Sequence, residues 1–149
     1  MKHRPIITLL VLACAAAIPA AAQGLSPGPL RAQVDAMTRR MPSGIRLLRE
    51  PWMGALPQDS IADVWVRLRA GVRYQLMPVC DEDCADMDLR LYDATGIELA
   101  HASDIDDIPL LSITPVRTGR YRMRITMLSC AAAPCGWAVA MYGRDGGGG

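Results

Sequence analysis

Cys80-Asp-Glu-Asp-Cys-Ala-Asp-Met-Asp-Leu-Arg-Leu-Tyr-Asp93 places five acidic residues and two cysteines in the nine positions from Cys80 to Asp88, then runs into apolar–polar alternation. Leu89 and Leu91 fall on one face and Arg90 and Tyr92 on the other, which is the period of a half-buried strand. A short cysteine loop feeding directly into such a strand reads as a stapled corner of a β-sandwich, and its acids make it a candidate cation site.

The same period recurs on both sides. Ile61, Val64, Val66 and Leu68 precede the turn Ala70-Gly71, and Val72 to Cys80 follows as a second strand. Pro78 has no N–H to donate to a ladder, so it suits an edge or a strand end. Downstream, Ala94-Thr95-Gly96 is a turn, Ile97 to Ala100 returns, and Leu110 to Thr114 precedes Pro115. Tyr121, Met123, Ile125 and Met127 alternate with Arg120, Arg122 and Arg124, the clearest strand in the chain. Trp137 to Tyr142 is the last. Seven to eight short strands without a helical period between them predict an all-β fold, an antiparallel β-sandwich or jelly roll. Upstream, Leu30, Val34, Met37 and Met41 lie at offsets of 4, 3 and 4 and predict a short N-terminal helix, packed on its own domain or docked on a partner. Ile45 to Pro57, with Pro51, Gly54 and Pro57, reads as a connector.

Lys2, His3 and Arg4, the apolar run from Ile6 to Ala13, and Ala20-Ala21-Ala22 have the layout of a secretory signal peptide. The run is about half the ~20 residues that span a bilayer, so no transmembrane span is expected. Val11-Leu12-Ala13-Cys14 offers an alternative, a lipoprotein processing site that would tether the chain through Cys14. The divisions are therefore 1–22 signal peptide, 23–59 N-terminal helix and linker, 60–143 sandwich, and 144–149 Gly-rich tail. The expected location is periplasmic or secreted. Without Lys2 and Arg4 the chain holds 14 basic against 15 acidic residues, a balance that argues against a nucleic-acid partner.

Cys80, Cys84, Cys130 and Cys135 remain, an even number in an oxidising compartment, and are expected to form disulfides. Three pairings are open. The local one, Cys80–Cys84 with Cys130–Cys135, is favoured because each pair brackets a turn. A four-thiolate zinc site is the competing reading, with looser spacings than zinc ribbons use.

Three stretches in order, Leu68-Arg-Ala-Gly-Val-Arg-Tyr74, Asp86-Met-Asp-Leu-Arg-Leu-Tyr-Asp93 and Thr118-Gly-Arg-Tyr-Arg-Met-Arg-Ile125, resemble the signatures of the bacterial pre-peptidase C-terminal (PPC) domain family. The resemblance covers roughly residues 60–142. It implies a small secreted β-sandwich that acts as a non-catalytic module in secretion, substrate binding or surface retention. Two features depart from that family: it usually accompanies a catalytic domain, and the cysteine loops lie outside its pattern.

Catalytic constellations are thin. His101 is the single histidine after the leader, and a triad with Ser103 or Ser129 would lack the Gly-x-Ser-x-Gly elbow. Calcium is the better-supported cofactor. It takes six to eight oxygens, and Asp86 and Asp88, two apart, project to one side if the chain there is extended. Asp104, Asp106 and Asp107 on a later loop complete the candidate ligand set; a solvated acidic rim, partly balanced by arginines, is the competing reading. The expected function is an exported non-catalytic binding or accessory module for a protein or polysaccharide. An envelope-associated structural protein is the alternative, and a hydrolase the third reading.

Overall fold

The computed structural model describes residues 28–102 and 110–144. The leader with Cys14, the loop carrying Asp104, Asp106 and Asp107, and the Gly-rich tail lie outside the described residues. The order is α1 (Gly28–Thr38), β1 (Ile45–Leu47), β2 (Trp52–Leu56), β3 (Ser60–Leu68), β4 (Tyr74–Cys80), β5 (Cys84–Tyr92), β6 (Glu98–Ala102), β7 (Leu111–Ile113), β8 (Gly119–Cys130) and β9 (Cys135–Arg144). One sheet runs β1-β9-β4-β7, with β2 also on β9; the other runs β3-β8-β5-β6. Every pairing is antiparallel. The all-β sandwich expected from the alternation is the observed fold.

Its core is the product of that alternation. Leu68 from β3, Leu76 from β4, Leu89 and Leu91 from β5, and Met123, Ile125 and Met127 from β8 are fully enclosed between the sheets. Each such side chain stabilises the fold by about 1.5–3 kcal/mol relative to exposure. A second, smaller cluster lies on the other face of the five-stranded sheet, where Leu30 and Val34 of α1 meet Met77, Ala138, Ala140 and Tyr142. The apolar stripe of α1 is thus satisfied within its own domain. The Thr38 hydroxyl and the Tyr142 hydroxyl, 2.9 Å apart, fix the helix C-terminus over the sheet.

The segment read as a connector is different in the structure. Ile45–Leu47 pairs with Tyr142–Arg144, and Trp52–Leu56 pairs with Cys135–Val139. These strands have three and five residues, interrupted by Pro51 and broken in pattern by Gly54, too short for a period to show. They are held by β9, which lies between them and β4 and is buried from Cys135 to Gly143. β5 also starts earlier than the alternation suggests, at Cys84, so Asp86 and Asp88 are strand residues within it. Pro78 sits in β4 beyond the reach of β7, which pairs only Tyr74 to Leu76, so one side of β4 is an edge there.

Both disulfides follow the local pairing, Cys80–Cys84 and Cys130–Cys135, with Cα separations of 5.9 and 5.8 Å. Each bridges a connection between sheets: β4 to β5 and β8 to β9. They lie side by side, since Cys84 pairs in register with Cys130. The β2–β3 connection joins the same end, where the Gln58 side-chain carbonyl accepts from the Cys130 amide at 3.3 Å. Three crossovers and two covalent bonds therefore clamp one end of the sandwich.

Candidate binding face

The acid cluster of the opening stretch is divided among several roles. The Asp81 carboxylate accepts the Gly136 amide, and the Asp83 carbonyl accepts the Ala131 amide at 2.8 Å, so the two cysteine loops are hydrogen-bonded to each other. Glu82 and Asp83 point to solvent. Asp88, on the outer face of β5, is held by the Arg90 guanidinium at 3.2 Å. Register shifts flank Asp86, which pairs with Ser129. Among the described residues no three His, Cys, Asp or Glu side chains converge on a metal-sized point. Calcium ligation through Asp104, Asp106 and Asp107 falls outside the described residues. His101 lies beside Arg90 in register and its Nδ1 is 3.2 Å from Glu98, whereas Ser129 faces Asp86 from the other side of β5 and four residues along it, and so roughly 16 Å away. The two are not brought together.

What the fold does assemble is an arginine and aromatic layer on the outer face of the four-stranded sheet. Strand alternation sends Arg120, Arg122 and Arg124 of β8 outward, with Asp63, Trp65 and Arg67 of β3 on one side and Arg90 and Tyr92 of β5 on the other. The register makes rows: Asp63–Arg124–Arg90, Trp65–Arg122–Tyr92, and Arg67–Arg120. The Arg120 guanidinium lies 4.9 Å from the Trp65 ring centre and that of Arg122 4.7 Å from Tyr92. Trp65 remains 48% exposed, so its ring is available from solvent.

Charge on this face is balanced unevenly. Asp63 takes two hydrogen bonds from Arg124 at 2.8 Å and one from Arg122 at 3.3 Å. The Arg124 hydrogen bonds hold its carboxyl below the usual range, against the opposing effect of burial. Arg90 is shared between Asp88 and Glu98, and those bonds strengthen its hold on the proton. Arg67 and Arg120 have no such carboxylate among the described residues. They stand directly opposite each other, an arrangement that destabilises a sheet when nothing neutral or negative intervenes. Exposed Arg69 and Arg117 flank them on the connections at that end.

The motifs quoted for the PPC resemblance have structural work at the same end. The Tyr74 hydroxyl accepts the Arg69 amide at 3.1 Å, and the Tyr121 hydroxyl donates to the Arg117 carbonyl at 2.6 Å. Asp93 accepts from the Thr95 hydroxyl and from the Thr95 and Ile97 amides, which closes the β5–β6 turn and lowers its own pKa. Each of the three organises a turn. The arginine face was missed as a site because its charges read, one by one, as the polar half of alternating strands. Comparison with protein-family models gives no match, and comparison with curated proteins gives none.

Proposed function

We propose that the protein is an exported, non-catalytic binding module that uses the outer face of its four-stranded sheet to hold an acidic polysaccharide. The observation that carries this reading is the Arg67–Arg120 pair beside the open Trp65 ring. These two guanidiniums, without a carboxylate partner among the described residues, supply planar forks for carboxylates, and the aromatic rings supply stacking surface for sugar rings. A flat, four-strand face suits an extended chain better than a small molecule, which needs a concave site. The two disulfides fit a chain that folds in an oxidising compartment, and the resemblance to PPC domains supports an accessory role outside the cytoplasm, periplasmic or secreted.

The test is affinity electrophoresis and calorimetry with polygalacturonate and with neutral dextran. Retardation by the polyuronate alone is expected, weakening with salt and falling about tenfold or more in Arg67→Ala/Arg120→Ala. Equal binding of dextran, or a variant indistinguishable from the parent, would remove the face from consideration.

A further inference from the structure

A second site lies on the opposite side of the molecule. The helix α1 covers only part of the five-stranded sheet, and beyond its C-terminal end the described residues leave a groove over the sheet. The groove left there has a volume of about 780 Å³, within the range of small-molecule sites. Met77 and Val79 of β4 form its floor, and Met37, Met41, Ile45 and Leu110 form its walls. Arg40, Arg73 and Arg144 stand along it, and no carboxylate of the described residues lines it. Arg73, just before β4, and Arg144, the last residue of β9, lie close along the chain to the paired Tyr74 and Gly143.

We propose that this groove binds a long-chain carboxylate, with the acyl chain along the methionine walls and the head held by Arg73 and Arg144. An apolar trough alone would fit any oily group. Here the formal charges that the described residues bring to it, Arg40, Arg73 and Arg144, are all positive, so the complementary occupant is apolar along its length and anionic at one end. Methionine side chains are unbranched and adaptable, and Met37, Met41 and Met77 together make a lining that follows a flexible chain more readily than a rigid ring. Guanidinium forks match a carboxylate in two parallel hydrogen bonds. The site does not depend on the arginine–aromatic face, which lies on the other sheet.

Titration of the full exported chain with a dansyl-labelled undecanoic acid tests it, with palmitic acid and cetyl alcohol as competitors. The expected result is one-to-one uptake, with palmitic acid displacing the label at least about tenfold better than the alcohol. In Arg73→Ala/Arg144→Ala that preference disappears while the melting temperature holds. Arg67→Ala/Arg120→Ala leaves uptake unchanged, so loss of polyuronate binding and loss of acyl binding are separate events. Absence of uptake, or equal affinity for acid and alcohol, overturns the assignment. So does uptake that appears only when residues 145–149 are deleted, which would make the tail the occupant. A concentration-dependent dimer in light scattering, dissolved by Arg73→Ala/Arg144→Ala, would give the groove to a second copy and overturn it equally.

Discussion

Single residues decide how closely the sheets and strands approach. A Cβ on Gly54 would lie 2.6 Å from the Trp137 ring, and that ring is buried at the heart of β9. The ring cannot swing away without displacing the core, so Gly54→Ala is expected to cost about 1–3 kcal/mol in urea unfolding. An unchanged midpoint would show that β2 yields instead. Asp63 offers a pH-dependent counterpart. Its carboxyl is held below its ordinary value by Arg124, so the stabilisation is present above the unfolded value near 4 and fades as pH falls through that value toward the folded one. The side chain is about a third exposed, which limits the effect to at most about 1 kcal/mol. Asp63→Asn should therefore lower stability at neutral pH, by an amount that shrinks as pH falls from about 4 toward 2, as read from melts across that range. A deficit that persists undiminished at pH 2 would assign the loss to packing.

At the level of elements, the clamped end is distinguished by its crossovers. Three connections between the sheets meet there, and each disulfide closes a short loop, with sequence separations of 4 and 5. Short loops lose little entropy on closure, so each bond contributes about 2 kcal/mol on the chain-entropy account. Cys130→Ser/Cys135→Ser is expected to lower unfolding free energy by that amount with the secondary structure intact by circular dichroism. Collapse of the β signal would mean instead that the bond is needed to register β8 against β9. The second acidic function of the region, the Asp81 acceptor for Gly136, ties the same two loops without a covalent bond.

For the molecule as a whole, β9 sets the limits of the folding unit. It is paired on one side to β4 and on the other to β1 and β2, with α1 over Ala138, Ala140 and Tyr142. A chain beginning at Ser60 would retain the arginine–aromatic sheet but expose the apolar face and one edge of β9, a template for aggregation. Such a chain is expected to lose its cooperative urea transition and to associate in gel filtration. A monomer with the full-length midpoint would show that residues 28–59 are dispensable. Charge is also polarised at this scale: acids gather at the clamped end, in Asp81, Glu82 and Asp83, and arginines at the other, in Arg67, Arg69, Arg117 and Arg120. A chain with near-neutral net charge can thus carry a cationic surface.

Local pattern was enough to determine the all-β class, the seven strands from β3 to β9, the inward faces of β3, β5 and β8 and the amphipathic helix, and it favoured the local cysteine pairing over the two others. Those features depend on periods of two or about 3.6 residues and on spacings within a few positions, all of which are written along the chain. Tertiary structure decided the rest. β1 and β2 became strands because β9 offered an unsatisfied edge, not because three or five residues carry a period. Asp88 was drawn into a pair with Arg90, and the face proposed for binding shifted from the acids of the Cys80–Asp93 stretch to the arginines of β3 and β8. That shift depended on register, which placed Arg67 opposite Arg120 from 53 residues away in the chain. No local spacing encodes such a meeting.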